Sequence, residues 1–146
     1  MTYDYFVASR FRNKDFILPF VKQLREKGKT VYCFLETEPS QQYVGGLDAD
    51  AEESMKQFEA ITDYRNDPRV REIFETDMTA LHASDTLVLL LPAGRSSHVE
   101  AGVAYGLDKK LVLVGEQKET ESLYFIFNEW HPTIEELLNH IHMIKS

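Results

Sequence analysis

The chain has 146 residues, of which 43% are hydrophobic and 12% aromatic; this predicts one folded domain over residues 1–146 and excludes disordered, collagen-like and coiled-coil proteins. Its 16 basic and 24 acidic residues give a formal charge of −8, which argues against DNA, RNA or an anionic membrane surface as partner but permits a small anion at one local site. Cys33 is the only cysteine, the amino-terminal stretch is acidic, and the longest apolar run has five residues, so we expect a cytoplasmic chain without disulfide, signal peptide or membrane span.

The opening of the chain has the pattern of a strand–helix–strand unit. Tyr3–Ser9 is rich in aromatic and β-branched residues, as expected of a short buried strand. Apolar residues then recur at helical spacing from Phe16 to Leu24, and Gly28 is a typical helix stop. Thr30–Leu35 follows as a second buried strand, so this opening has the length that a parallel crossover needs.

Residues Glu36–Asp63 form the least patterned and most acidic segment. It holds eight carboxylates and one basic residue, Lys56, so the rest of the chain is nearly balanced in charge. We expect a loop around Gly45 and Gly46, followed by a helix from about Ala51. Such a segment is a candidate lid that would keep larger nucleic acids away from a small-ligand site.

A longer helix and a third strand follow. Asp67 and Pro68 are typical of an N-cap and a first helical position, and they predict a helix that runs to about Ala83. The next strand, Asp85–Leu91, is mostly apolar rather than alternating. Continuous hydrophobicity indicates that both of its faces are covered, as in a parallel sheet with helices on each side.

The last part of the chain repeats this alternation. We expect a helix over Ser97–Leu107, a fourth strand over Leu111–Gly115, a fifth strand over Leu123–Phe127 and a closing amphipathic helix over Thr133–Ile144. The predicted fold is therefore α/β: a single doubly wound sandwich of about five parallel strands, flavodoxin-like or Rossmann-like. In such folds, ligands bind at the carboxyl ends of the strands, where the strand order reverses.

Asp77 is a carboxylate on the apolar face of the helix predicted from Pro68. On a helical wheel it falls between Ile73 and Leu81, in an apolar stripe that also holds Val70, Phe74 and Met78. A carboxylate that faces a sheet must find hydrogen-bond partners or have its pKa raised, and either outcome marks a candidate site. The alternative is an aspartate that bonds backbone amides for structural reasons alone.

Glu100 is a second acidic residue on an inward helix face, which the wheel forms from Val99, Val103, Leu107 and Ala104. It lies in the first turn after the third strand, at the edge where ligands bind. The stretch from Ser97 to Glu100 also fits a capping box, in which the glutamate bonds the Ser97 amide, and the sequence leaves both interpretations open. An Asp and a Glu around one small ligand is an arrangement that cleaves glycosidic bonds.

Two turns are candidates for binding an anion such as phosphate. Both combine cations, hydroxyls or small residues directly before a helix, where backbone amides are available. The members are Ser9, Arg10, Arg12 and Lys14 after the first strand, and Gly94, Arg95, Ser96 and Ser97 after the third. For the first turn, a basic loop in solvent is the alternative.

Known cofactor and metal motifs do not occur in the sequence. It contains no GxGxxG, no GxxxxGK[ST] and no GxSxG elbow. The histidines show no metal-ligand spacing with an acid or thiol; they are His82, His98, His131, His140 and His142. We therefore expect a site that works without metal or cofactor.

Three stretches of the chain carry a family resemblance. They are YFVAS, TDMTALHASDTLVLLLP and GRSSHVEAGVAYGLDKKLVLV. The most specific element is a glutamate in the first turn of a helix after an apolar strand, followed by AGVAYG and GLDKK. Together these stretches resemble the nucleoside 2-deoxyribosyltransferase superfamily, which includes deoxynucleoside 5′-monophosphate N-glycosidases. The resemblance covers about two-thirds of the chain and finds no counterpart for Glu36–Asp63.

The resemblance implies a role for each of the two acids. Glu100 would be the nucleophile that attacks C1′ of a 2-deoxyribosyl nucleoside and forms a glycosyl-enzyme ester. Asp77 would hydrogen-bond the base and assist its departure. Ser9 and Arg10 fall on the turn that contacts sugar or phosphate in the family.

The chain also departs from the family pattern. Gly94 stands where relatives carry an Asp or Ser six residues before the glutamate, so Arg95 and the serines beside it are expected to bind a 5′-phosphate instead. The family resemblance further implies a homo-oligomer, a dimer or larger, whose partner lends residues to the site. Asn128 is the nearest polar candidate for such a residue.

The sequence therefore predicts an N-glycosidase or deoxyribosyltransferase that acts on a small nucleoside or nucleoside 5′-monophosphate through a glutamate nucleophile. One alternative is a catalytically inactive nucleotide-binding or sensing module of the same fold. A second is a structural α/β protein whose Glu100 only caps its helix. Release of free base separates the first hypothesis from the other two.

Overall fold

The computed structural model describes residues 2–48 and 51–141. Its five strands form one parallel sheet in the order β2-β1-β3-β4-β5. They are β1 (Tyr3–Ala8), β2 (Val31–Cys33), β3 (Ser84–Leu90), β4 (Lys110–Val114) and β5 (Glu129–His131). The chain turns outward from β1 to β2 and then returns to the other side of β1, so the switch point lies between β1 and β3. The predicted doubly wound, flavodoxin-like α/β fold is confirmed.

Helices cover both faces of this sheet, as right-handed crossovers require. They are α1 (Lys14–Glu26), α2 (Glu38–Tyr43), α3 (Ala51–Glu59), α4 (Pro68–His82), α5 (Arg95–Gly106) and α6 (Ile134–His140). Helix α1 packs with α6 on one side, and α4 packs with α5 on the other. Within residues 2–48 and 51–141, no helix is long and apolar enough to cross a membrane.

The core lies along the three central strands. Residues 87–90 of β3 and 111–114 of β4 are buried on both faces, which explains why these strands are apolar without alternation. Asp67 caps α4 as predicted, because its side chain accepts a hydrogen bond from the Arg69 amide.

The prediction of a fifth strand over Leu123–Phe127 is wrong. Residues Ser122–Ile126 form a 3₁₀ helix that leaves Leu123 and Phe125 in solvent, the latter 85% exposed. Strand β5 follows it and pairs with β4 instead. A short apolar run without alternation fits either structure, so its period could not decide. Thr133 caps α6, and residues 142–144 of the predicted closing helix lie outside the described residues.

The acidic segment is more ordered than the sequence indicates. Helix α2 occupies part of the expected loop and is capped by Thr37, whose hydroxyl accepts from the Ser40 amide. Gly46 then passes so close to the 3₁₀ turn after β2 (Phe34–Glu36) that a Cβ there would lie 2.3 Å from the Leu35 carbonyl oxygen, so only glycine fits. Helix α3 begins at Ala51, as predicted. Asp50, one of the eight acids of the segment, lies outside the described residues.

Candidate active site

The carboxyl ends of β1 and β3 are joined side by side at the switch point. The Ser9 hydroxyl donates to the Leu90 carbonyl oxygen over 2.9 Å. The Asn13 amide donates to Ser9 Oγ over 2.8 Å and to the Pro92 carbonyl oxygen over 2.6 Å. Ser9 is therefore fixed at this edge of the sheet by Asn13, a residue that the sequence did not single out.

Helix α5 starts earlier than predicted, and this removes the capping box. Its N-cap is Gly94 and its first residue is Arg95, so Ser97 lies inside the helix and is buried. Glu100 is then the sixth helical residue rather than the third after a serine cap. Among the described residues, no hydrogen bond uses the Glu100 carboxylate, and its oxygens are not closed off from solvent. The structure thus contradicts the helix-capping interpretation of Glu100.

The buried face of α5 also differs from the wheel. Small residues, Ser97, Ala101 and Ala104, pack against the sheet, while Val99 is 64% exposed. Small side chains allow the helix to approach the strands closely, and this turns the face that carries Val99 outward. Glu100 lies at the margin of the buried face and is partly buried.

Asp77 is partly buried on α4 and bonded to β2. The Tyr32 hydroxyl donates to Asp77 Oδ1 over 2.6 Å, and Tyr32 itself is buried. The buried stripe of α4 is centred on Ala80 and Leu81, so Phe74, which the wheel placed inside it, is 56% exposed. The inward position predicted for Asp77 is confirmed.

The two carboxyl groups act on each other electrostatically. Burial raises the pKa of Asp77 to about 6, although the hydrogen bond from Tyr32 lowers it. Burial and the negative charge of Asp77 together raise the pKa of Glu100 to about 8. The pKa of Tyr32 is raised by burial, by Asp77 and by Glu100. Between pH 6 and 8 the pair of acids therefore holds one proton, which lies mainly on Glu100 while Asp77 is ionised.

The rim of the site can receive an anion. The first turn of α5 contains no acidic residue and no side-chain cap, so its amides are available to an external acceptor. Arg95 and Ser96 are exposed there, and Arg10 is exposed on the loop after β1, its Nε bonded to Asn13 Oδ1 over 3.0 Å. A Cβ at Gly94 would meet no atom within 4 Å, so open space lies beside the helix start.

Arg12, which the sequence placed with the anion-binding residues, points to the acidic segment. Its guanidinium pairs with Glu52 over 2.9 Å and with Glu59 over 3.2 Å. Lys14 binds the Asp48 carbonyl oxygen. These contacts fasten α3 and the loop before it to the turn that follows β1.

His98 and Asn128 form hydrogen bonds that stabilise the fold around the site. His98 bonds the Gly94 carbonyl oxygen over 2.8 Å and the Tyr124 hydroxyl over 2.7 Å, which holds the first turn of α5 against the 3₁₀ helix. Asn128 Oδ1 accepts from the Leu111 amide over 2.8 Å, so this oxygen serves the junction of β4 and β5.

No protein-family model and no curated protein matches the chain, but solved structures do. The 2-deoxyribosyltransferase of Bacillus psychrosaccharolyticus superposes with a TM-score of 0.61 at 16% identity, over 92% of this chain and 90% of that one. The CMP N-glycosidase BcmB of Clostridium botulinum gives 0.50 at 18% identity, over 93% and 96%. The chain thus has the fold of a 2-deoxyribosyltransferase and an N-glycosidase, the fold that its resemblance to the nucleoside 2-deoxyribosyltransferase superfamily predicts.

Proposed function

We propose that the chain cleaves the N-glycosidic bond of a small nucleoside or nucleoside 5′-monophosphate, with Glu100 as nucleophile and Asp77 as proton donor. The observation that carries this proposal is a pair of partly buried carboxyl groups, on α4 and α5, whose raised pKa values leave one proton on the pair between pH 6 and 8. An acid pair with one proton provides a nucleophile and an acid at the same time.

In the empty site the proton lies on Glu100, whose pKa is the higher of the two, and it moves to Asp77 when the substrate is bound. In the first step, an ionised Glu100 oxygen then attacks C1′ of the sugar as the bond from C1′ to the base nitrogen breaks. The electrons of that bond leave with the base, and Asp77 transfers its proton to the base. The products of this step are a glycosyl ester on Glu100, a neutral base and an ionised Asp77. Tyr32 is a positioning residue, since its hydroxyl fixes one oxygen of Asp77.

In the second step, Asp77 accepts a proton from the molecule that attacks C1′ and releases Glu100. Water in this role gives free sugar or sugar phosphate, and the chain is then a hydrolase. The nitrogen of a second base gives a new nucleoside, and the chain is then a transferase with ping-pong kinetics. Both routes return the pair of acids to its one-proton state.

A 5′-phosphate would bind at the start of α5. The backbone amides of that turn, with Arg95, Ser96 and Arg10 around them, offer the donors and positive charge that a phosphate needs. Gly94 leaves room for the group, and Ser9 and Ser97 are buried beside the two turns. This arrangement favours a nucleoside 5′-monophosphate over a nucleoside. No step requires a metal or cofactor.

The same chain would form a homodimer or larger homo-oligomer through the outer face of α4 and α5. Phe74, Val99 and Tyr105 each expose more than half of their surface there, and large exposed apolar groups mark contact surfaces. Sedimentation of the Val99→Glu variant should show a smaller species than the unmodified chain if this surface is the interface.

The test is a panel of ribo- and deoxyribonucleosides and their 5′-monophosphates, with free base measured by chromatography. The unmodified chain should release base from at least one of them, and Glu100→Gln should abolish release. Glu26→Gln, on the exposed side of α1, is the matched control. Full activity of Glu100→Gln would refute the mechanism.

A nucleotide-binding module without turnover is the second candidate, and Gly94 favours it, because the family carries an Asp or Ser there. Binding of a monophosphate without base release, equally strong in Glu100→Gln, would establish this alternative. Substitution of Gly94 by Asp or Ser would then be the way to look for recovered activity.

A further inference from the structure

A second cluster of polar side chains lies away from the pair of acids, between β5 and α6. Glu129 and His131 are two residues apart on β5, so both side chains project from the same face of the sheet. His140 comes from the last turn of α6, which packs with α1 rather than with α4 and α5. One oxygen of Glu129, Oε1, lies 3.0 Å from His131 Nε2 and 3.5 Å from His140 Nε2.

These separations fit the ligands of one tetrahedral ion. Zinc binds nitrogen and oxygen at about 2.0–2.2 Å, which puts neighbouring ligands of a tetrahedral site roughly 3.3–3.6 Å apart. The two separations measured from Glu129 fall close to this edge length, and all three ligand atoms lie within 4.8 Å of one another. Small side-chain rotations would bring them onto one centre.

The chemistry of the donors also favours a metal. Two imidazoles and a carboxylate suit zinc and neighbouring transition metals, whereas calcium and magnesium prefer oxygen ligands. Lys110 binds the other oxygen of Glu129, Oε2, and thereby directs Oε1 toward the histidines.

The exposure of the cluster gives an ion access to it. Glu129 and His131 are partly buried, whereas the His140 side chain is 63% exposed. An ion could thus enter from solvent on the side of α6 and keep a water molecule as its fourth ligand.

We propose that Glu129, His131 and His140 form a binding site for a divalent transition-metal ion of the zinc class, which links the edge strand β5 to helix α6. The site is separate from the proposed glycosidase chemistry, since it lies on the α1–α6 side of the sheet. Its role is structural: an ion held by both elements restrains the last helix and the exposed edge of the sheet.

The experiment titrates the full chain, first dialysed against a chelator, with zinc chloride, and follows binding by calorimetry and thermal unfolding by circular dichroism. We expect saturable binding and a melting temperature that rises with zinc concentration. His140→Ala should weaken binding by more than the roughly 10–100-fold typical of losing an outer-shell partner, and should abolish the rise in melting temperature. His82→Ala, an exposed histidine near the end of α4, is the matched control and should behave like the unmodified chain.

Glu129→Gln gives a second, independent variant, because glutamine keeps the shape of the side chain but removes its charge. It should also lose most of the zinc affinity. Equal zinc binding by the unmodified chain, His140→Ala and Glu129→Gln would overturn the proposal, as would the absence of any binding. Base release is not measured, so the result is independent of the proposed glycosidase function.

Discussion

Replacing Glu100 by glutamine should remove activity and at the same time stabilise the protein. Glutamine keeps the size of the side chain, and no hydrogen bond to the carboxylate is lost among the described residues. What disappears is the free-energy cost that burial and the charge of Asp77 impose on ionising Glu100, the same cost that raises its pKa. A residue with only a structural role would show the opposite sign.

The magnitude follows from the pKa of Glu100, which rises from 4.5 to about 8. Each pKa unit corresponds to about 1.4 kcal/mol, so ionising this group in the folded state costs on the order of 5 kcal/mol at most. A raised pKa gives a stability contribution that is complete below pH 4.5 and is lost as the pH rises toward 8. About 3 kcal/mol of this loss is expressed at pH 7, and Glu100→Gln avoids it.

The assay is urea unfolding of the unmodified chain, Glu100→Gln and the control Glu26→Gln at several values between pH 4.5 and 8.5. The free energy of unfolding of Glu100→Gln should exceed that of the unmodified chain by an amount that grows with pH. Base release by the same preparation should fall by about a thousandfold or more. A variant that is less stable at every pH, or a difference that does not change with pH, would refute this account of Glu100.

Three more predictions test the proton count and the phosphate end of the site. The kcat/KM of base release should be highest between about pH 6 and 8. Below this range a second proton on the pair of acids removes the nucleophile, and above it the loss of the last proton removes the acid. A flat profile would contradict a mechanism that needs one proton on the pair. Tyr32→Phe removes a hydrogen bond that lowers the pKa of Asp77. The pKa of Asp77 should therefore rise, and the low-pH limb of the profile should move to higher pH. An unchanged limb would show that Tyr32 does not act through Asp77. Gly94→Asp should stabilise α5 by a few tenths of a kcal/mol, because aspartate is a better N-cap than glycine. The new charge should repel the phosphate, so base release should fall at least about tenfold more for a 5′-monophosphate than for the nucleoside. An equal loss for both substrates would argue against phosphate binding at this turn.

The two acids could be predicted from the sequence because a charged residue on the apolar face of a helix can be recognised without tertiary structure. Helical periodicity alone shows that Asp77 falls on an apolar face. Periodicity also placed Val99 inside, and the capping-box motif placed the start of α5 at Ser97, because neither pattern shows how closely a helix of small residues approaches a sheet. The start of α5 depends instead on the His98 ring, which bonds the carbonyl oxygen of Gly94.

The residues that complete the site depend on contacts between distant parts of the chain. Tyr32 and Asp77 are 45 residues apart, and Ser9 and Leu90 are 81 residues apart. No local pattern marks such partners, since each residue looks like an ordinary strand or turn residue in its own segment. The cluster at β5 was missed for the same reason: its spacing of two on a strand becomes informative only when α6 brings His140 beside it.

The proton count of the site gives a physical reason for placing two acids in a partly buried position, where water solvates their charged forms poorly. With one shared proton, the empty site carries a single negative charge, and the charge of Asp77 opposes ionisation of Glu100. A sugar whose C1′ becomes positive as the base departs favours a charged Glu100 next to it, and the proton then belongs on Asp77, beside the leaving base. Substrate thus drives the proton to the position that the reaction needs, and this happens only while positive charge develops at C1′. A surface pair of acids, fully solvated and doubly ionised at neutral pH, would have no such proton to transfer.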